Sequence, residues 1–392
     1  MSPTATPSAD LLERARVRHT DFASLLIDLV EMESPSDDPA AQRRIQDRLA
    51  DELEAVGMGV RRISGRRTGG ALLARPDPRP RGRPFQLVLG HSDTVWPLGS
   101  VERIGVEVAG DRLRGPGSFD AKGGLAMIVH ALRLIRDLGA KPSVTPIVLI
   151  DSDEEIGSPE SRRHVARLAR RAERALVTEP ALGLEGRIKT RRKGASQYRV
   201  VVRGRSAHGG LDPGAGASAI VELSHVVQAI HELNDPGRGI TVNVGTIEGG
   251  VRPNVVAGEA VALVDVRTER AGDRDRVEAG LRAISPATEG TEVEVEREGS
   301  RPPLEPTPRN RALWRAALGA GRALGLALEE GLAGGVSDGN TASRFTATLD
   351  GLGAVGDGAH AEHEFVDLER TVDRIALLAS LMLLPPIRGG KR

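Results

Sequence analysis

The segment FQLVLGHSDT, residues 85–94, joins an apolar run typical of a buried strand to a turn that contains His, Ser and Asp. The same arrangement recurs in PIVLIDSDEE, residues 146–155, where an apolar run ends in acidic residues. A helical pattern over Gly124–Leu138 lies between them, and further strand-like runs occur at Gly70–Leu73 and Ala175–Val177. This alternation predicts an α/β fold: a mostly parallel, twisted sheet with helices on both faces.

The pattern changes after residue 190. The predicted elements there are a strand at Tyr198–Arg203, a helix at Ala217–Leu233, strands at Thr241–Ile247 and Glu259–Val266, a helix at Asp273–Ile284 and a strand at Glu292–Glu296. The order β-α-β-β-α-β is that of a ferredoxin-like α+β domain. We therefore predict an α/β domain formed by residues 1–190 and 302–392, with a second domain inserted over residues 191–301.

Composition excludes several classes of protein. The 392 residues include 54 basic and 54 acidic side chains, so the chain has no net charge that would favour nucleic acid or an anionic membrane. The absence of cysteine excludes disulfides, thiolate zinc sites and cysteine nucleophiles. The N-terminus has no apolar run typical of a signal peptide, and Ile375–Leu384 is about half of the roughly 20 residues that span a bilayer. We expect a soluble, cytoplasmic protein.

Residues able to bind metal follow the predicted strands or open the helix after them. In an open α/β sheet, ligands bind at the carboxyl ends of the strands. Imidazole nitrogen and carboxylate oxygen together suit zinc, without any cysteine. Each residue alone could be an ordinary loop acid or a helix cap, as Asp120 could be. Taken together they predict a metal site; they are His91, Asp93, Asp120, Glu154, Glu155, Glu179 and His360.

Five motifs carry a resemblance to a known family: GHSDTV (90–95), GSFDAKG (117–123), DEEIGS (153–158), TEP (178–180) and HAEHEFV (360–366). In this order they resemble the motifs of the dinuclear zinc aminoacylase and carboxypeptidase family. That family includes glutamate carboxypeptidase, acetylornithine deacetylase and succinyl-diaminopimelate desuccinylase. The resemblance implies a zinc-peptidase-like catalytic domain, an inserted lid and dimerisation domain, and a homodimer formed through that insert.

The resemblance also implies two Zn²⁺ ions per subunit, with Co²⁺ or Mn²⁺ as possible substitutes. His91 and Glu179 would hold one ion, and Glu155 and His360 would hold the other. Asp120 would bridge them, which agrees with the need for a shared anion between two dications about 3.5–4 Å apart.

The resemblance assigns catalytic roles to two further residues. Glu154 is the predicted general base, which takes a proton from the attacking water and passes it to the leaving amine. Asp93 is expected to accept the second ring N–H of His91 and so to fix its tautomer. His360 and His363 could each be the last ligand; the family pattern selects His360, and His363 is expected at the rim of the site.

Three residues of the insert match substrate-binding positions of the family. Taken alone, a histidine at the position of His208 is more often structural than functional. The resemblance implies that it acts in the partner subunit's active site and stabilises the oxyanion. Asn254 and Arg267 are the other predicted contacts, and Arg267 is expected to bind a substrate carboxylate because a guanidinium pairs with it bidentately. The formal GxGxxG at residues 351–356 lacks the following helix of a dinucleotide site and is rejected as one.

These observations predict a zinc-dependent amidohydrolase or carboxypeptidase. It would release a glutamate-like C-terminal amino acid from an N-acyl or peptidyl substrate, through a water that bridges the two metals. The alternative is a biosynthetic deacylase such as acetylornithine deacetylase or succinyl-diaminopimelate desuccinylase. A catalytically silent ligand-binding protein is disfavoured because every proposed ligand and the base are present. Neither nucleic acid nor a membrane is an expected partner.

Overall fold

The computed structural model describes residues 7–78 and 82–387. The chain divides into two compact units, which are treated separately below. The larger unit comprises the described residues up to Thr190, Pro306–Ala333 and those from Ser337 onward, and the smaller unit comprises Arg191–Glu305 and Gly334–Val336.

The helices and strands are numbered in chain order. The helices are α1 (Pro7–Val17), α2 (His19–Glu31), α3 (Pro39–Ala55), α4 (Ser100–Ile104), α5 (Gly123–Asp137), α6 (Arg162–Ala169), α7 (Ala219–His231), α8 (Ala271–Arg282), α9 (Pro308–Ala323), α10 (Asp338–Ser343) and α11 (Leu368–Leu383). The strands are β1 (Met58–Ile63), β2 (Ala71–Pro76), β3 (Phe85–His91), β4 (Glu107–Ala109), β5 (Arg112–Arg114), β6 (Thr145–Asp151), β7 (Arg174–Val177), β8 (Ile188–Arg192), β9 (Gly194–Arg203), β10 (Thr241–Gly249), β11 (Glu259–Thr268), β12 (Glu292–Arg301), β13 (Glu330–Ala333), β14 (Ala347–Leu349), β15 (Gly356–Asp357) and β16 (Phe365–Asp367).

The main sheet of the larger unit has the strand order β1-β2-β6-β3-β7-β14. Strands β6, β3, β7 and β14 are parallel, whereas β1 and β2 add an antiparallel edge. All of β6 and most of β3 are buried, as expected for strands with helices on both faces. The predicted parallel-rich sheet with helices is confirmed. Strand β1 was not predicted, because its arginine-rich outer face carries little apolar pattern.

The helices α1, α2, α5 and α11 pack against one another and form much of the core. Apolar residues at helical spacing over Ala9–Glu33 predict a helix there, but the structure divides it into α1 and α2 at Arg18, whose φ and ψ are −95° and 16°. The guanidinium of Arg18 binds Asp137 near the end of α5. Neither glycine nor proline marks this break, so the sequence carries no local signal for it. No helix in the described ranges, α11 included, is both long and apolar enough to cross a membrane.

The smaller unit is an antiparallel sheet with two helices. Its strand order is β10-β11-β9-β12, and α7 and α8 pack against the sheet. Residues of β11 alternate between buried and more exposed positions, which is typical of a sheet covered on one face. The core includes Tyr198, Leu223, Val264 and Leu281. The predicted β-α-β-β-α-β order is confirmed.

A small sheet in the larger unit brings two distant loops together. Its order is β15-β16-β5-β4, and Phe365 of β16 pairs with Arg114 of β5. The turn that follows β5 contains Asp120, and the loop that precedes β16 contains His360. This pairing therefore places segments far apart in the chain beside each other.

Candidate metal centre

Three parallel strands deliver side chains to one edge of the main sheet. His91 is the last residue of β3 and pairs with Asp151 at the end of β6. Glu155 lies in the turn after β6, and Glu179 follows β7, whose last residue pairs with Leu89 of β3. Because the carboxyl ends of parallel strands share an edge, these three side chains converge there.

Two loops complete the convergence through close backbone packing. Asp120 lies in a non-helical kink before α5, and its peptide bond to Ala121 is cis. A Cβ on Gly124, early in α5, would lie 2.1 Å from the carbonyl oxygen of Thr178. The second loop follows β14 and contains Gly353, where a Cβ would lie 2.3 Å from the same oxygen. Only glycine permits these approaches, which hold both loops against the backbone that leads into Glu179.

The five predicted ligands form two groups that share Asp120. In the first, Nε2 of His91 lies 3.3 Å from Oδ1 of Asp120 and 3.3 Å from Oε1 of Glu179. In the second, Nε2 of His360 lies 3.5 Å from Oδ2 of Asp120 and 3.2 Å from Oε2 of Glu155. The ligand atoms within each group lie within 4.8 Å of one another. A carboxylate that presents a different oxygen to each group suits two neighbouring cations.

Unpartnered atoms in these groups fit a metal. Nε2 of His91 and Oε1 of Glu155 are buried, and neither has a hydrogen-bond partner among the described residues. Buried polar atoms are rarely left without a partner, so such atoms call for an explanation. Imidazole nitrogen and carboxylate oxygen are ligands of zinc and of related divalent ions.

The protonation of the site reflects an excess of carboxylates. Burial lowers the pKa of His91, but the neighbouring carboxylates of Asp120, Asp93 and Glu179 outweigh burial and raise this pKa well above its ordinary value. Hydrogen bonds to Asp120 and Glu155 raise the pKa of His360 to about 10. The pKa of Asp120 is lowered because these two imidazoles outweigh the effect of its burial.

Asp93 binds the turn that contains both predicted glutamates. Its carboxylate accepts the hydroxyl of Ser36 at 2.7 Å and the backbone N–H groups of Glu154 and Glu155 at 3.2 and 3.1 Å. Nδ1 of His91 lies 3.0 Å from the backbone carbonyl of Asp93 and 3.4 Å from its carboxylate. Because a carbonyl can only accept, Nδ1 carries the hydrogen and the lone pair of Nε2 remains for a metal.

The two histidines near the C-terminus differ in their position. His360, with a φ of 63°, belongs to the second ligand group. His363 is exposed and belongs to neither group. The structure therefore brings His360 to the site, as the family pattern predicts.

The sequence analysis missed Glu364 as a functional residue. Its side chain is buried and accepts the backbone N–H groups of Gly117, Phe119 and Asp120 and the indole N–H of Trp96. Burial raises the pKa of Glu364 to about 7, although these hydrogen bonds lower it. The sequence feature that could have indicated a role for Glu364 is its position in the same motif as His360.

The three predicted substrate residues belong to the smaller unit, whereas the ligand groups belong to the larger unit. Nδ1 of His208 accepts the backbone N–H groups of Gly210 and Leu211, each at 3.1 Å, so Nε2 carries the hydrogen in the neutral ring. The N–H of Gly209 donates to the carbonyl of Asn254 at 2.9 Å, which places the His208 and Asn254 loops side by side. Arg267 lies on β11, where its Nε is 2.7 Å from Asp265. Their roles toward a substrate stay predictions.

Comparison with known proteins supports the family resemblance. Residues 190–290 match the family described as the peptidase dimerisation domain. The chain is 28% identical to carboxypeptidase G2 of Pseudomonas sp. (strain RS-16), over 91% of this chain and 87% of that protein. It is 29% identical to acetylornithine deacetylase of Myxococcus xanthus, over 66% of this chain and 70% of that protein.

Two solved structures share the fold. The aminopeptidase PepT of Bacillus cereus superposes with a TM-score of 0.73 at 20% identity, and the match covers 93% of this chain and 98% of that one. The M20 family metallo-carboxypeptidase Sso-CP2 of Sulfolobus solfataricus gives a TM-score of 0.71 at 16% identity, over 94% of this chain and 99% of that one. The chain thus contains a peptidase dimerisation domain and is similar over most of its length to carboxypeptidase G2, and these relatives indicate a metal-dependent hydrolase.

Proposed function

We propose that this protein is a dinuclear zinc carboxypeptidase or amidohydrolase, which releases a glutamate-like C-terminal amino acid from an N-acyl or peptidyl substrate. The observation that carries the proposal is that Asp120 belongs to both groups of possible metal ligands, each of which also contains one histidine and one glutamate. The similarity to carboxypeptidase G2 over most of both chains supports the carboxypeptidase assignment.

Two zinc ions would be held by the five ligands of these groups. His91 and Glu179 would bind one ion, Glu155 and His360 the other, and Asp120 both. When bound, the metal supplies Lewis-acid polarisation of the scissile carbonyl and lowers the pKa of water at the site.

Glu154 acts as the general base in this proposal. Its backbone N–H and that of Glu155 both donate to the carboxylate of Asp93, which fixes the backbone from which the two side chains extend. The carboxylate of Glu154 accepts a proton from the attacking water as the new C–O bond forms. It then donates that proton to the leaving nitrogen as the C–N bond breaks.

The smaller unit supplies substrate contacts in this proposal. Arg267 binds the carboxylate of the released amino acid, and Asn254 contributes a further polar contact. His208 has a neutral tautomer whose Nε2–H can donate to an oxyanion. A homodimer formed through the dimerisation domain would present His208 to the partner subunit. The cytoplasmic location stays a prediction.

The variant Glu154→Gln tests the mechanism. Because it removes only the proton acceptor, we expect bound zinc to be retained and kcat for an N-acyl-glutamate to fall by about 10²–10⁴-fold. The exposed Glu185→Gln variant is the matched control and should keep full activity. A chelator should abolish wild-type activity, and added Zn²⁺ or Co²⁺ should restore it. Full turnover by Glu154→Gln would contradict the assignment of the base.

A biosynthetic deacylase is the second candidate, favoured by the similarity to acetylornithine deacetylase. Both candidates use the same metal chemistry and differ in the amino acid that is released. The zinc-loaded enzyme should be assayed with N-acyl-glutamates, N-acetylornithine and N-succinyl-diaminopimelate. A higher kcat/KM for either of the last two substrates would favour the deacylase.

A further inference from the structure

The carboxylate of Glu364 is 1% exposed and is fully engaged by N–H donors. Its Oε1 accepts the backbone N–H groups of Phe119 and Asp120 at 2.9 and 2.8 Å. Its Oε2 accepts the backbone N–H of Gly117 at 2.8 Å and the indole N–H of Trp96 at 3.1 Å. These donors lie between 244 and 268 positions earlier in the chain, so the carboxylate joins distant segments.

The segment that Glu364 binds determines where the shared ligand lies. Asp120 is the one residue common to both ligand groups among the described residues, and its own N–H is one of the four donors. A fixed backbone at Asp120 fixes the direction of its Cα–Cβ bond, and therefore the region that its carboxylate can reach. The non-helical φ and ψ of Asp120, −113° and 95°, are not maintained by a regular helix, so other contacts must hold them.

Glu364 also belongs to the segment that carries His360, a member of the second ligand group. Its backbone N–H donates to the carbonyl of Ala361 at 2.9 Å, closing the turn after His360. Its carbonyl accepts the N–H of Gly115 at 3.2 Å. Side chain and backbone of one residue therefore tie the His360 loop to the Asp120 loop.

We propose that Glu364 is a positioning residue: by accepting the N–H groups of Gly117, Phe119 and Asp120, it holds the Asp120 carboxylate between the two ligand groups before metal binds. This proposal rests on the proposed metal site and adds a residue that neither binds the metal nor contacts the substrate. A preformed bridge lets both cation positions form without further ordering of the Asp120 loop.

The isosteric variant Glu364→Gln separates hydrogen-bond acceptance from size. A glutamine amide has one oxygen, which accepts, and one NH₂ group, which donates. Whichever way the amide turns, two of the four donors lose their acceptor and face other donors. Removal of the groups that orient metal ligands typically weakens metal binding by 10–100-fold. We expect that loss of Zn²⁺ affinity for Glu364→Gln.

The matched control is Glu362→Gln on the same loop. Glu362 is exposed, and its carboxylate pairs with Arg103 at the surface. Zn²⁺ affinity and stoichiometry are measured by competition with a chromogenic chelator, and the folding of each metal-free variant by circular dichroism. Activity of Glu364→Gln should recover as free Zn²⁺ is raised, which a misfolded variant would not do. A Zn²⁺ affinity of Glu364→Gln within threefold of wild type would overturn the proposal.

A measurement on the wild type keeps the proposal testable if Glu364→Gln does not fold. In the metal-free protein, the amides of Gly117, Phe119 and Asp120 should be protected from hydrogen exchange, because Glu364 already binds them. Exchange as fast as in an exposed loop would overturn the proposal. Neither readout uses a substrate. An enzyme that binds Zn²⁺ as expected but hydrolyses no N-acyl amino acid would refute the proposed function alone.

Discussion

His130 lies in α5 and belongs to neither ligand group, and its burial predicts that acid destabilises the protein. The side chain is 1% exposed and its ring meets that of Phe22 edge-on, with 5.7 Å between centroids. A guanidinium nitrogen of Arg133 lies 3.1 Å from Nε2 of His130. Burial, aided by the positive charges of Arg133 and Arg18, lowers the pKa of His130 to about 3. The native state therefore requires the neutral ring.

The sign and size of the effect follow from proton linkage. In the unfolded chain the pKa of histidine is about 6.5, so between pH 6.5 and pH 3 the unfolded state binds one more proton than the native state. Stability contributed by His130 is present above pH 6.5 and is lost as the pH falls through this window. Each pH unit corresponds to about 1.4 kcal/mol, so between pH 7.5 and pH 4.5 the loss is about 3 kcal/mol.

The variant His130→Gln isolates this loss from packing. Replacing the ring by an uncharged amide removes the titration, while the packing cost is the same at every pH. We measure the free energy of unfolding of the metal-free proteins by urea denaturation. The stability advantage of wild type over His130→Gln should be about 3 kcal/mol smaller at pH 4.5 than at pH 7.5. His19→Gln, at the partly exposed start of α2, is the matched control.

The outcome that would refute this reasoning is specific. If wild type and His130→Gln differ by the same free energy at both pH values, His130 is not held neutral by the fold. A difference that grows at low pH would mean that the native state stabilises the charged ring, which is the opposite sign.

Further predictions concern packing and titration elsewhere. Gly124→Ala places a Cβ 2.1 Å from the Thr178 carbonyl, which must move by about 1 Å, so we expect the free energy of unfolding to fall by about 1–3 kcal/mol and Zn²⁺ binding to weaken. Gly319→Ala in α9 meets nothing within 4 Å and should gain about 0.5–1 kcal/mol; equal effects of the two variants in urea denaturation would contradict this contrast. Tyr198 is the single tyrosine, and burial together with Glu278 raises its pKa to about 12. At about pH 10 the tyrosine of the unfolded chain is half ionised, whereas tyrosinate absorption of the folded protein should be nearly absent.

The fold class was open to sequence reasoning because it depends on local periodicity. Apolar runs such as Phe85–Leu89 and Pro146–Ile150 are short, buried on both faces and separated by helical patterns, which is enough to predict a parallel sheet. The candidate ligands could also be predicted from the sequence, because each lies near the point where a strand or helix ends or begins. The break at Arg18 could not be predicted, because no local residue preference marks it. A contact with Asp137, which is distant in the chain, accompanies the break.

The contacts around the ligands were beyond sequence reasoning. Asp93 was expected to use its carboxylate on His91, yet that carboxylate accepts the N–H groups of Glu154 and Glu155, while the nearer acceptor for His91 is a backbone carbonyl. Backbone groups look alike in every sequence, so their part in the site cannot be read from residue types.

The amino-acid sequence alone determined the alternation of strands and helices, the inserted β-α-β-β-α-β segment and the residue types available for a metal, because these depend on neighbours within a few positions. Tertiary structure alone decided that Asp120 faces both His91 and His360, and that Glu364 holds the Asp120 backbone from more than 240 positions away. Such contacts arise from strand pairing and close glycine packing, which act between residues far apart in the chain.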